Sequence, residues 1–369
     1  MTQLAEPVSS TQQRLSLVDC DVHNAVPNDA ALHPYLSARW KRHNELFGSH
    51  TTRPFRKGFR YPKITPGGGA RVDAWPASGA LPGSDLDLMR EQLLDLYNVD
   101  VAVLNTLHQG VEQRNEDYAA ALSRAVNEWQ VEHWLEKDSR LRASVTVPYE
   151  SPELAAAEIR RVAAHPGFVQ VLLLPRTREP LGRRRYWPIY EAAAEVGLPI
   201  GIHFASSTIG PVTAGGWPSY YIEDHTVASI AFQTQLPSLI LEGVFDRFPT
   251  LQAVLVEGGF AWLPPLMDRM DALYHRMRDE VPDLQRLPSE YVPAHIRLTT
   301  QPMEEPTRPR DLLDLIEDIG NELLMFSTDY PHWDFDNPHR AFQTRLTDCD
   351  RSRIMHENAT AFYNLGAQV

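Results

Sequence analysis

Leu17-Val18-Asp19-Cys20-Asp21-Val22-His23-Asn24 is a short apolar run that ends in an Asp-x-His pair, and Asn24-Ala25-Val26-Pro27 turns the chain straight after it. In an extended strand, residues i and i+2 point to the same face. Asp21 and His23 are therefore expected to project together from a strand end into one space. A carboxylate oxygen and an imidazole nitrogen converging in this way can grip a divalent cation. Taken alone, the pair reads more simply as a buried polar contact. The sequence downstream changes that reading.

From Asp85 onward, apolar runs alternate with stretches of helical spacing. Extended runs are expected at Val99 to Leu104, Leu141 to Val147, Phe168 to Leu174, Leu198 to His203, Leu251 to Glu257, Ala294 to Thr299 and Leu323 to Ser327. Helices are expected between them at Asp87 to Tyr97, Asn115 to Trp134, Ser151 to Ala164, Trp187 to Val196, Glu223 to Leu241, Trp262 to Arg278 and Arg310 to Ile319. Ser151-Pro152-Glu153 reads as a cap with proline at the first helical position. Many of the strands are apolar almost throughout, as in strands covered on both faces. With the first strand, these make eight alternations, the pattern of a (β/α)8 TIM barrel. An open doubly wound sheet is the weaker reading, because no Gly-x-Gly-x-x-Gly turn follows the first strand. A closing helix from Arg351 to Leu365 is expected to pack across the barrel.

The 369 residues and 43% hydrophobic content suffice for one barrel with a large core. Residues 1–14 read as a flexible leader and 15–369 as the barrel. A long insertion at about 27–84 is rich in Pro, Gly, aromatic and basic residues. An irregular segment of that length suits a lid or a partner-binding arm. The net charge of −13 argues against a nucleic-acid partner, which needs a basic surface. The only cysteines, Cys20 and Cys349, form no paired spacing, and no apolar run is long enough to span a bilayer. A cytoplasmic protein acting on a small-molecule substrate, as a homo- or hetero-oligomer and without membrane contact, is expected.

Polar residues that can ligate a metal fall at the carboxyl ends of several strands: Asp21 and His23 on the first, His203 on the fifth, Glu257 on the sixth and Asp329 on the eighth. A barrel gathers all its strand ends at one mouth, so residues hundreds of positions apart would meet there. His225, at the start of the helix after the fifth strand, and His332, three residues beyond Asp329, could join them. As a lone histidine, each is more often a structural or surface residue. Arg183-Arg184-Arg185 reads as a solvated loop, with a lesser possibility of holding a substrate carboxylate. Trp217, Trp262 and Trp333 read as rim packing.

With its Asp-x-His, its strand-five His203, its Gly258-Gly259 after strand six, its Thr328-Asp329-Tyr330-Pro331 and its closing Glu357-Asn358-Ala359, the chain resembles the metal-dependent amidohydrolase-related barrels that include aminocarboxymuconate and resorcylate decarboxylases. The resemblance implies Asp21, His23, His203 and Asp329 as metal ligands. Mixed imidazole and carboxylate donors suit Zn, Mn or Fe rather than Mg or Ca. Where those decarboxylases carry a catalytic His before the Gly-Gly, this chain has Glu257, which can act as a base or bind metal. His225 would be a further ligand or catalytic group, and Asp329 and His332 further catalytic groups. Three carboxylates and four imidazoles exceed the needs of one ion. Either some orient the ligands from behind, or two ions bind.

The expected function is a metal-dependent enzyme of this class that hydrolyses or decarboxylates a small polar or carboxylate-bearing molecule. The first alternative is an O2-dependent monooxygenase with a dinuclear Fe or Fe/Mn centre, which the resemblance also admits. The second is a non-catalytic barrel serving as a subunit of a hetero-oligomer.

Overall fold

The computed structural model describes residues 16–49, 69–108, 112–205, 213 and 215–367. The expected leader and the middle of the 27–84 insertion lie outside them. All eight expected strands form: β1 Val18–Val22, β2 Val101–Leu104, β3 Leu141–Thr146, β4 Phe168–Leu173, β5 Ile200–His203, β6 Ala253–Val256, β7 Ile296–Thr299 and β8 Leu324–Met325. They pair in parallel in sequence order. The amide of Cys20 donates to the Phe326 carbonyl at 3.0 Å, and that of Asp329 to the Asp21 carbonyl at 3.0 Å. Val22 and Tyr330 form a parallel bridge, so the eighth strand region returns to the first and closes a (β/α)8 barrel.

The strands alternate because each has an outward row packed on helices and an inward row. Val101, Val103, Val254, Val256 and Met325 form one apolar cluster with Val18 and Cys20. Ala102, Leu104, Ile200, Ile202, Ala253 and Leu255 belong to the larger core shared with the helices. The expected closing helix runs continuously from Asp348 to Phe362. It delivers Ala359, Phe362, Tyr363 and Leu365 into the smaller cluster, sealing the amino-terminal end of the barrel. Asn358 fastens it by donating to the carbonyls of Asn321 and Leu324, each at 2.7 Å.

Two local expectations differ. Pro152 does open its helix, but the Ser151 side chain makes no capping hydrogen bond. The single helix expected from Glu223 to Leu241 is two, Tyr221–Thr226 and Ser229–Leu241. The first of them carries two contacts to distant partners. Asp224 pairs with Arg176 at 2.9 Å and His225 with Asp334 at 3.0 Å, and such tertiary contacts override local periodicity. Among the described residues, no helix is long and apolar enough to cross a membrane.

The seal of the barrel gives the first prediction. Phe362, 8% exposed, packs within the smaller apolar cluster. Phe362→Ala should lower unfolding free energy by about 3–5 kcal/mol in urea titrations. A change below ~1 kcal/mol would show that the helix is not part of the cooperative core.

Candidate metal centre

Asp21 and His23 leave the end of β1 and meet His203 from β5 and Asp329 from just beyond β8. His203 Nε2 lies 3.0 and 3.1 Å from the two Asp21 oxygens. His23 Nε2 lies 2.9 Å from Asp329 Oδ1 and 3.4 Å from Asp21 Oδ1. All four are buried, Asp21, His203 and Asp329 completely. Their ligand atoms form two overlapping groups that can hold a metal ion, Asp21–His23–His203 and His23–Asp329–His332.

The backbone at the mouth is shaped for this. Glu257 and Asp329 both have left-handed backbones, with φ of 60° and 61°. That conformation disfavours residues with a Cβ and recurs at functional sites. Glycine at 83 brings the end of the insertion against the site. Its φ is 78°, and a Cβ there would lie 2.5 Å from the His23 carbonyl oxygen. Ala70 bridges His332, and Arg71 donates its amide to the Pro331 carbonyl at 2.9 Å, so the described end of the insertion runs along the mouth.

Fit to a cation is tested by the imidazoles. His23 Nδ1 donates to the Asn105 carbonyl at 2.8 Å, and His203 Nδ1 donates to the Phe204 carbonyl. Those bonds leave both Nε2 atoms turned inward with lone pairs. His23 Nε2 is buried and makes no hydrogen bond, yet it faces two carboxylates. A lone pair opposed to carboxylates is repelled unless positive charge lies between them. Two nitrogen and two oxygen donors converging there fit a first-row divalent ion.

The electrostatics agree. Burial works against the charge of Asp21, but His203 and His23, when protonated, outweigh it and bring its carboxyl down to about 2. Burial pushes Asp329 well above the carboxylate range, with His332 pulling the other way. Burial, then the carboxylates of Asp329, Asp334 and Asp21, pushes Glu257 well above as well. Asn105 supports the site from below: its Nδ2 donates to Asp21 Oδ1 at 2.8 Å, and its Oδ1 accepts from Ser144 at 2.6 Å and Gln170 at 3.0 Å.

The other residues singled out in the sequence divide into two sets. His332 reaches the site, its Nδ1 donating to Asp329 Oδ1 at 2.6 Å. Glu257 lies beside it, Oε2 3.5 Å from His203 Nδ1. His225 is not part of the first group; it forms another with Glu257 and Asp334. Of the arginine run, Arg183 pairs with Glu179 and Glu242, and Arg185 with Glu150 and Glu179, so both already have carboxylate partners. Trp262 donates to the Gly258 carbonyl at 3.0 Å and Trp333 touches Tyr221, as rim residues do. Sequence reading missed Asn105, Gln301 and Asp334. Asp334 was within reach, since it follows the strand-eight motif by a few residues; Asn105 and Gln301 carry no spacing signal.

His23→Ala and His203→Ala should each remove bound metal, read by elemental analysis, while circular dichroism stays that of the folded barrel. Asn105→Ala should weaken metal affinity by about 10- to 100-fold through loss of ligand orientation. Full metal content in either histidine variant would rule the site out.

Comparison with known proteins places the chain. Residues 18–365 match the family model described as Amidohydrolase. The chain is 26% identical over 312 residues to a gamma-resorcylate decarboxylase of Polaromonas, an alignment covering 78% of this chain and 94% of the relative. Its fold is shared with a dihydroxybenzoic acid decarboxylase of Polaromonas, solved with manganese and 2-nitroresorcinol (TM-score 0.65, 19% identity, 95% and 98% of the chains covered). It is shared also with a 5-carboxyvanillate decarboxylase of Novosphingobium aromaticivorans, solved with manganese and 4-hydroxy-3-methoxy-5-nitrobenzoic acid (TM-score 0.69, 18% identity, 98% and 100% covered). The family match spans nearly the whole barrel, including every strand that reaches the mouth, and the protein is thus a member of the amidohydrolase family.

Proposed function

We propose that this protein is a metal-dependent decarboxylase of hydroxyl-bearing aromatic carboxylic acids. The observation that carries the reading is the buried Asp21–His23–His203 group with Asp329, in a chain similar over most of its length to a gamma-resorcylate decarboxylase. A divalent cation held by Asp21, His23, His203 and Asp329 would bind neighbouring carboxylate and hydroxyl oxygens of the substrate and draw off negative charge. In the reaction, the bond between ring carbon and carboxylate breaks. Its electron pair passes to the ring carbon, which takes a proton as CO2 leaves.

The chain's own residues manage that proton. His332, with 31% of its side chain exposed, is joined to the fully buried Asp329 by the 2.6 Å bond from Nδ1 to Oδ1. It therefore connects solvent to the buried carboxyl, and a proton at Asp329 can be replaced through His332 after each turnover. Asn105 holds Asp21 and His23 in place. The described end of the insertion, residues 69–84, lies against the mouth with Gly83 on His23, and we read it as one wall of the site. The oxygenase and silent-subunit readings have no comparable observation in their favour.

The same reading places the protein in the cytoplasm, since Cys20 and Cys349 are both free thiols, as a reducing compartment keeps them. We propose further that it is an oligomer: Leu46 and Phe47, and separately Val72 and Trp75, are exposed apolar side chains on the insertion, of the kind that mark contact surfaces. Light scattering should give a mass above one chain; a monomer at micromolar concentration would remove this part.

The test is CO2 release by the manganese-loaded protein from 2,6-dihydroxybenzoate and 5-carboxyvanillate. Release from one of them, lost on chelation and restored by Mn2+, is expected. His332→Ala should lower turnover by about 10²- to 10⁴-fold with metal content kept. A metal-loaded protein that releases no CO2 from a panel of hydroxybenzoates would overturn the reading.

A further inference from the structure

We infer that Tyr363, at the amino-terminal floor of the barrel, is a positioning residue for the metal ligand Asp21, acting through Gln170 and Asn105. The inference rests on the metal centre proposed above and on no particular reaction. Buried side chains from four elements make the connection. Tyr363 follows the closing helix, Gln170 lies on β4, Ser144 on β3 and Asn105 just past β2. Tyr363 is 6% exposed and the other three are completely buried. The Tyr363 hydroxyl donates to Gln170 Oε1 at 2.9 Å. Gln170 Nε2 donates to Asn105 Oδ1 at 3.0 Å and to Ser144 Oγ at 2.8 Å. Ser144 Oγ donates to Asn105 Oδ1 at 2.6 Å, and Asn105 Nδ2 donates to Asp21 Oδ1 at 2.8 Å.

The direction of these bonds matters more than their number. A side-chain amide offers donors at one end and an acceptor at the other. An ionised carboxylate only accepts, so Asp21 requires the NH2 end of Asn105, which also donates to the Cys20 carbonyl at 3.3 Å. Asn105 Oδ1 then needs donors, and the single Ser144 hydroxyl proton and the NH2 end of Gln170 provide them. That leaves Gln170 Oε1 turned to the floor as a buried acceptor, and Tyr363 supplies its donor. Each link is set by the one above it, down to one phenol.

Without that hydroxyl, Gln170 Oε1 becomes an unpaired acceptor inside the barrel, which burial disfavours. A half-turn of the amide relieves it only by presenting an oxygen to Asn105 Oδ1, and Asn105 then loosens its hold on Asp21. The backbone carbonyl of the same asparagine accepts from His23 Nδ1 at 2.8 Å, so two ligands feel its position. Gly201, two residues before His203, gives the amide its place, since a Cβ there would lie 2.7 Å from the Gln170 amide carbon. The plainer reading, in which these groups only satisfy one another, predicts that loss of the hydroxyl changes stability and leaves metal binding alone.

The test is a calorimetric titration of full-length protein, stripped with a chelator, with Mn2+. Tyr363→Phe, which keeps the ring, should weaken Mn2+ binding by about 10-fold while keeping the circular dichroism of the folded barrel. Gln170→Met, which cuts the chain one link higher, should do the same. Tyr363→Phe in the Asn105→Ala background should weaken binding no further, because residues in one network do not act additively. Phe362→Ala, whose wild-type ring lies 4.9 Å from that of Tyr363 but outside the network, should lower stability and keep the affinity. Unchanged affinity in both Tyr363→Phe and Gln170→Met, with His23→Ala still abolishing binding, would overturn this inference and leave the metal centre standing. An affinity loss in Phe362→Ala as large as that in Tyr363→Phe would also overturn it, as the mark of a loosened floor. Absence of Mn2+ binding by the unaltered protein would overturn both.

Discussion

Negative charge crowded into a barrel mouth is the constraint on which the rest of the structure turns. Asp21 and Asp329 are completely buried and Glu257 almost so, and carboxylates removed from water are strongly disfavoured unless something offsets them. The fold cannot supply that offset with arginine, because Arg176 is bound to Asp224. It turns imidazoles so that nitrogen lone pairs point inward beside the carboxylates, leaving the offset to a bound cation. Carboxylates and lone pairs facing one another are unstable alone and strong ligands together. A barrel tolerates such an arrangement because its large apolar core, not its mouth, provides the stability.

That core and the mouth are joined by one chain of buried hydrogen bonds. Tyr363, on the segment sealing the barrel floor, donates to Gln170 Oε1 at 2.9 Å. Gln170 donates to Ser144 and Asn105, Ser144 to Asn105, and Asn105 to Asp21. Gly201 leaves room for it, since a Cβ there would lie 2.7 Å from the Gln170 amide carbon. Gln170, Ser144 and Asn105 inside the barrel are thereby paired with one another, as burial requires. The ligands are in consequence held from beneath by a network anchored in the closing helix.

The mouth is built differently on its two sides. Towards β1 and β8, Asp21 and Asp329 are completely buried and His23 nearly so. Towards β6 and the helix Tyr221–Thr226, His225 and Asp334 are partly open, and Tyr221, His225 and Trp333 lie with ring centroids 5.3 to 6.5 Å apart. His332 also meets solvent.

Much of this was legible in the sequence because it follows from local rules. Strand–helix alternation is written in apolar spacing, and a (β/α)8 barrel sends every strand's carboxyl end to one mouth. Asp21, His23, His203, Glu257 and Asp329 could thus be assembled from residues hundreds of positions apart. What the sequence could not determine depends on distances between elements that no periodicity encodes. The helix break at 227–228 has no signal in the apolar spacing. The roles of Asn105 and Gln301 rest on side-chain amides whose neighbours are distant in the chain. Whether His225 joins the first group or makes another with Glu257 and Asp334 was decided by how one short helix leans against the loop after β8. Local sequence determines which residues stand at strand ends; only packing in three dimensions determines which of them touch.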